Sequence, residues 1–232
     1  MNRFIQARTE EVKYHEDFYA HHILFEPGSW LSKPVKIVLD MLDELDLDHI
    51  HVLDLGCGVG RNSIPIAQRI KPHNGRITCV DLLPMAVNQL VTNSRKYDVH
   101  ELIVSEAADV EAYDIPDNSY EYIVACSCLE HVSSVEAFRM VVSRMIEGTK
   151  NQGINAILMS TENLDVDIET GKVSNGIIEL NMKTADTFSL LHELYRDWDI
   201  LVEKSVSQSI HERKYEKEID FRSNWLTFLA RK

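Results

Sequence analysis

Apolar and polar positions along this chain follow two alternating periods. Between about residue 50 and residue 160, short unbroken apolar runs recur at Val52–Leu55, Ile77–Val80, Leu102–Val104, Tyr122–Cys126 and Ala156–Met159. Runs of this length predict strands buried on both faces of a parallel sheet. Helical stripes lie between them. Pro84 opens one, with Val87, Leu90, Val91 and Tyr97 on a single face, and proline suits a first helical turn. A second covers Val135–Ile146, its stripe made of Phe138, Val141, Val142 and Met145. A third follows Gly60, with Asn62 or Ser63 as its cap and Pro65 in its first turn. Strand–helix alternation of this kind predicts an open α/β sheet, doubly wound, with right-handed crossovers.

The pattern changes after residue 160. Ile200–Val206 and Trp225–Ala230 read as strands, and the charged stretch between them is too polar for a buried crossover helix. They predict a terminal antiparallel hairpin. Asp165–Asn181, with the turn signal Glu169-Thr170-Gly171-Lys172, predicts an inserted hairpin or loop. Residues 1–35 carry Phe18, Tyr19, Phe25 and Trp30 and predict a helical cap, with Phe25 and Trp30 in its core. One domain over residues 1–232 is expected: a cap at 1–35, a core at 36–160, and a substrate-side insertion with terminal strands at 161–232. No internal repeat is visible.

Composition narrows the class. With 44% hydrophobic residues the chain can bury a sizeable core. Acidic residues outnumber basic ones, 37 to 24, for a formal charge of -13. That field repels nucleic-acid backbones and anionic membranes, so neither is an expected partner. No apolar stretch approaches the roughly 18 residues that cross a bilayer, and the first residues show no secretory pattern. Cys57, Cys79, Cys126 and Cys128 form no disulfide framework, which points to a reduced, cytoplasmic protein. There is no C-x-x-C pair for structural zinc, and no metal is expected.

The chemistry gathers at Val52-Leu53-Asp54-Leu55-Gly56-Cys57-Gly58-Val59-Gly60-Arg61-Asn62, a strand running into a glycine-rich turn and then a helix. Glycines let backbone approach a ligand closely and adopt positive φ at no steric cost. A dinucleotide fingerprint wants G-x-G-x-x-G, with a pyrophosphate on the helix N-terminus. Here Arg61 holds the third position, and the glycine falls one residue early. Asp54 would repel a pyrophosphate and suits a ligand with ammonium and sulfonium groups. Asp81 ends the second strand, twenty-one residues after Gly60, where a carboxylate can accept from both ribose hydroxyls. Asp109 follows the third strand and can accept from an adenine amino group. Three acids thus follow three successive core strands.

These residues resemble the class I S-adenosylmethionine-dependent methyltransferases. The resemblance covers roughly residues 35–160 and is strongest at 52–62, 77–83 and 105–131. It implies a Rossmann-like, seven-stranded, mostly parallel sheet with an antiparallel last strand. It implies that the loop over Gly56, Cys57, Gly58 and Gly60, with Asp54 and Asn62, wraps the methionine part of the cofactor. Asp81 with Leu82 would hold the ribose, and Asp109 with Ala108 and Val110 the adenine. Cys126, at the end of the fourth strand, would lie beside the reacting methyl group. The run Gly60-Arg61-Asn62-Ser63 is similar to tellurite-resistance-type and related small-molecule methyltransferases.

The implied reaction is an in-line displacement at the methyl carbon of a sulfonium, carried mostly by positioning and a dry site. His131 is the candidate to orient an acceptor or take its proton; otherwise it only shapes the pocket. Glu130 reads as a first-turn helix acid. Tyr14, Tyr19, His22, Trp30 and Arg61 are candidates for the substrate side, with His21 nearby in the cap. Cys57, Cys126 and Cys128 are candidates to meet at one pocket edge, against which stands the usual behaviour of buried cysteine as a small hydrophobe. Competing functions are a cofactor-binding sensor or partner subunit without catalysis, and a nicotinamide-dependent oxidoreductase. Asp54 and Arg61 disfavour the latter. The acceptor and the oligomeric state stay open.

Overall fold

The computed structural model describes residues 3–214 and 217–232. The expected α/β alternation is present. Strands β1 (His51–Leu55), β2 (Arg76–Asp81), β3 (Ile103–Ala107), β4 (Tyr120–Cys126) and β5 (Thr149–Asp167) are joined by helices α3 (Ser63–Ile70), α4 (Pro84–Lys96) and α5 (Val135–Gly148). Helices α1 (Arg3–His21) and α2 (Lys36–Leu42) precede them. Strand β6 (Val173–Asn175), helix α6 (Thr184–Leu194), and strands β7 (Asp199–Lys214) and β8 (Lys217–Arg231) complete the chain. The sheet order is β3-β2-β1-β4-β5-β8-β7, with β6 on the far part of β5. The pairs within β3-β2-β1-β4-β5 are parallel, and β8 and β7 are antiparallel to their neighbours. Strand order reverses between β1 and β4, the place where open sheets of this kind leave a crevice.

Two cores lie on the two faces of the sheet, as the unbroken apolar runs require. Val52, Ile77, Val124 and Ala156 face α2, α3 and α4, whereas Leu53, Val80, Ile123 and Ile157 face α5 and α6. Consecutive residues of one strand therefore serve opposite cores, and the polar strand residues Asp54, Thr78 and Asn155 are buried with hydrogen-bond partners. The Tyr122 hydroxyl donates to the Val38 carbonyl at 2.9 Å and ties α2 to the sheet.

Three expectations need correction. The strand expected at Leu102–Val104 lies at Ile103–Ala107 and is an edge strand, with Val104 62% exposed. Asn62 and Ser63 do not cap α3: Asn62 Oδ1 accepts from Val35 N, and the Ser63 hydroxyl donates to Asp54. Helix α6 is not among the expected elements, because its stripe of Thr187, Leu190 and Leu191 is short. The seven strands expected form the main path of the sheet among the described residues, and the inserted segment adds β6 beside it.

The terminal hairpin is present and longer than expected. The charged stretch between Ile200–Val206 and Trp225–Ala230 continues the ladder out to the Lys214–Lys217 pair. Polar residues are tolerated there because β7 is a largely exposed edge strand, and charge on an edge also blocks further pairing. Strand β5 runs 19 residues, about 60 Å at ordinary rise. Its register with β8 shifts between Thr161 and Leu164, at the left-handed Glu162 (φ 53°). Such a bulge bends the strands. Beyond it, β5, β6, β7 and β8 form an arm that walls one side of the crevice.

Candidate cofactor and acceptor site

The glycine loop leaves β1 with three left-handed residues, Gly56 (φ 71°), Gly58 (φ 52°) and Gly60 (φ 100°). Space as well as φ demands glycine here. A Cβ on Gly56 would lie 2.7 Å from Cys128 Cβ, and one on Gly58 would lie 2.7 Å from the Tyr19 hydroxyl. The Asn93 side chain donates to the Val59 carbonyl at 2.9 Å and anchors the loop to α4.

Asp81, at the end of β2, completes this cradle. Its Oδ2 accepts from Gly58 N at 2.8 Å and its Oδ1 from Leu83 N at 2.9 Å. Burial raises its pKa, and those two backbone donors oppose the rise. Asp54 sits beneath the loop, 1% exposed, and accepts from the Ser63 hydroxyl at 2.5 Å. Burial pushes its pKa up to about 7, the Ser63 hydrogen bond pulls the other way, and Asp81 adds to the rise.

Two connected openings flank the loop. The first, about 90 Å³, is lined by Asp81, Leu82, Ala108, Asp109, Val110, Cys128 and residues of α1. The second, about 510 Å³, lies between the loop, α1 and the arm. Its lining includes Gly58, Arg61, Asn62, Cys57 and Cys126, the cap residues Tyr14, Tyr19 and Trp30, and Glu130, Asp165, Lys214 and Trp225. Glu11, His15 and His131 line both.

Of the residues singled out in the sequence, most meet here. Gly60 packs instead against Leu90 and Ile64, and Asp54 lies outside both linings. His22 is displaced from the substrate side. It stacks on Phe18, ring centroids 4.1 Å apart, and Phe18 stacks on Trp30. Trp30 is half-buried against the core as well as lining the larger opening, and Arg61 lies over its ring. The three cysteines divide between the openings. Burial holds Cys57 and Cys128 well above the ordinary thiol range and Cys126 up at about 12. All three are therefore thiols, not nucleophilic thiolates.

Helix α1 supplies what the sequence pattern did not reveal. Its buried residues are Ala7, Glu11 and Tyr19, with Arg8 and His15 half-buried beside them. These positions share one helical face by their three- and four-residue spacing, but a polar face leaves no hydrophobic signature. Arg8 locks this helix down. Its guanidinium bonds Asp109 Oδ2 at 3.2 Å and the His131 carbonyl at 2.6 Å, and its Nε pairs with Glu179 Oε1 at 2.8 Å. Glu179 also accepts from His131 Nδ1 at 2.9 Å. Burial pushes the His131 pKa down, but the hydrogen bond and charge of Glu179, aided by Glu130 and Glu11, raise it to about 9. His15 goes the other way: burial lowers its pKa, and the charge of His131 lowers it further.

On the arm side, Lys214 is buried beside Glu11 (3.4 Å) and Glu212 (3.3 Å), its ammonium over the Tyr14 and Phe221 rings. Glu130 is the expected first-turn acid, in the short helical turn Leu129–His131, and it is buried. Its Oε1 accepts from Ser160 N at 3.1 Å, and its Oε2 has no hydrogen-bond partner among the described residues. No metal centre is expected from the sequence. The fold nonetheless brings a ligand atom each of Glu11, His15 and His131 within 4.8 Å of one another.

Residues 52–153 match the family described as a methyltransferase domain. No curated protein matches the chain in sequence. Among solved structures, it is similar to TehB from Haemophilus influenzae, with a TM-score of 0.64 at 22% identity over 85% of this chain. The chain spans 62% of TehB, less than two thirds of its length. A SAM-dependent methyltransferase from Methanosarcina mazei matches with a TM-score of 0.59 at 14% identity, over 86% of this chain and 98% of that one. Magnesium protoporphyrin IX methyltransferase (ChlM) from Synechocystis PCC 6803, solved with bound SAM, matches with a TM-score of 0.55 at 16% identity, over 85% and 76% of the two chains. At such identities the structural likeness is one of fold. Residues 52–153 thus match a methyltransferase-domain family, and the glycine loop joined to Asp81 lies at the switch point of a sheet similar in fold to those of solved SAM-dependent methyltransferases.

Proposed function

We propose that this protein transfers the methyl group of S-adenosylmethionine to a small-molecule acceptor held in the larger opening. One observation carries the reading: the hydrogen bond from Gly58 N to Asp81, which makes the glycine loop and the second-strand acid a single preformed cradle. When bound, the cofactor supplies an electrophilic methyl on a sulfonium. The chain's part is to bind, orient and exclude water. Asp81 offers carboxylate oxygens to the ribose, Asp109 accepts the adenine amino group in place of Arg8, and Gly56 and Gly58 let the methionine part lie on bare backbone. Asp54 sets negative charge under that part from beneath the loop. His131, held protonated at neutral pH by Glu179, serves as a hydrogen-bond donor that orients the acceptor rather than as a free base.

The acceptor side is aromatic, with Tyr14, Tyr19, Trp30 and Trp225, and carries charges of both signs, Glu130 and Asp165 with Arg61 and Lys214. The likeness of Gly60–Ser63 to tellurite-resistance-type enzymes also favours a small acceptor. No helix among the described residues is long and apolar enough to cross a membrane. Four free, buried cysteines suit a reducing compartment and support a cytoplasmic protein. The charge of -13 disfavours nucleic acid as a substrate.

Thermal unfolding with added ligands tests the reading. At 100 times its dissociation constant, a ligand stabilises the folded state by about 2.7 kcal/mol. S-adenosylmethionine and S-adenosylhomocysteine are expected to raise the midpoint, and NAD is not. Asp81→Asn should lose most of that rise; stabilisation by NAD alone would overturn the assignment. Release of S-adenosylhomocysteine across a panel of metabolites separates an enzyme from a cofactor-binding sensor.

A further inference from the structure

We propose that Glu11, His15 and His131 form a binding site for one divalent first-row transition-metal ion, placed where the cofactor cleft meets the acceptor opening. The three residues line both openings, and a ligand atom of each lies within 4.8 Å of the others. Glu11 and His15 are one helical turn apart on α1, so their side chains rise from the same face. His131 reaches them from the turn after β4, its ring 5.6 Å from that of His15 and nearly perpendicular to it.

His131 has the outer contact of a metal ligand, whereas His15 makes the bond to the carbonyl four residues back that His21 and His22 also make. A ligating histidine usually gives its second ring nitrogen to a carboxylate or a backbone carbonyl, which fixes the tautomer and the ring plane. His131 Nδ1 bonds Glu179 Oε2 at 2.9 Å, and His15 Nδ1 bonds the Glu11 carbonyl at 2.9 Å. Each bond leaves Nε2 to meet an ion, which on binding takes the place of the Nε2 proton by which His131 otherwise donates. Glu179 is itself held by Arg8, so the support extends one shell further. Lys214 stands 3.4 Å from Glu11 Oε1 and neutralises one side of that carboxylate.

Two imidazoles and one carboxylate are a donor set for zinc, iron or cobalt rather than for magnesium or calcium. Tetrahedral bonds of about 2.0–2.1 Å need ligand atoms roughly 3.3 Å apart. The cluster must therefore tighten by side-chain rotation when an ion enters. Three protein ligands leave at least one coordination position open at the junction, which suits an acceptor bearing an oxygen or nitrogen lone pair. The ion site stands without the methyl-transfer reading; only its use as an acceptor clamp rests on that reading.

Equilibrium dialysis of the whole chain against Zn2+ and Co2+, in the absence of S-adenosylmethionine, tests it. About one ion per chain is expected, with d–d absorption of bound Co2+ showing nitrogen and oxygen ligation. His15→Ala and His131→Ala should each weaken binding by at least about tenfold, in line with the loss of a ligand. NMR of the imidazole nitrogens in the unaltered protein gives a second readout that needs no variant, with Zn2+ shifting two histidines together. No stoichiometric ion would overturn the site. So would binding unchanged in both folded variants, or a Co2+ spectrum dominated by thiolate charge transfer from the cysteines. Because the cofactor is left out, failure here is separate from failure of the thermal-shift test above.

Discussion

A carboxylate buried under a backbone loop must find charge-neutralising company or keep its proton. Asp54 has one hydroxyl donor and no cation beside it among the described residues, so burial pushes its pKa up to about 7. The native form therefore keeps a proton that the unfolded chain releases near its ordinary value. Asp54 contributes stability fully below that unfolded value, and the contribution is lost as pH rises through about 7. Asp54→Asn should flatten the fall of the unfolding free energy between about pH 4 and 7, an effect on the order of a few kcal/mol. Denaturant titrations at stepped pH measure it, and an unchanged pH slope would count against the assignment. Gly58 makes a steric claim at the same scale. Alanine there faces φ 52° and the Tyr19 hydroxyl at 2.7 Å, so Gly58→Ala should cost about 1–2 kcal/mol. Tyr19→Phe in the same chain should recover only the contact part. Calorimetry of the single and double variants separates the two terms.

The elements around the site divide by what they bury. Helices α3, α4 and α5 bury apolar stripes, and their periodicity is plain in the sequence. Helix α1 buries Glu11 and Tyr19 and rests on ion pairs to three other parts of the chain. The arm is held from its far end by Lys214, between Glu11 and Glu212. Removing one member of a buried charge cluster leaves its partners uncompensated, at about 3–5 kcal/mol. Lys214→Met should therefore free the β7–β8 tip from α1. Hydrogen exchange is expected to accelerate over Gln208–Lys214 and in α1, while β1 and β4 stay protected. Uniform protection throughout would show that the arm does not depend on this lysine.

At the scale of the whole molecule, one sheet carries two cores and a site at the reversal between β1 and β4. Stability and chemistry are thus largely separable. Phe138, fully buried in the α5 core, touches neither opening. Phe138→Ala should lower the unfolding free energy by about 3–5 kcal/mol, yet keep the midpoint rise given by S-adenosylhomocysteine. Chemical denaturation with and without ligand distinguishes these effects.

The sequence by itself determined the parallel core, the glycine loop and the acids at its edge. Each of these is local: an apolar run, a positive φ, a carboxylate ending a strand. Asp81 is the last of the six residues of β2, and Asp109 stands two residues past the end of β3. Tertiary structure alone decided the acceptor side. Glu11 and His15 are polar residues on a helix without an apolar stripe, and nothing in their spacing says that they will face His131, more than a hundred residues away. Lys214 reads as one more charge on an edge strand until β7 and β8 extend over the crevice and bury it. His22 shows the converse, a cap residue whose ring is taken by Phe18. Periodicity reports which face meets an apolar core; it carries no signal for a face that is buried because charges there find partners.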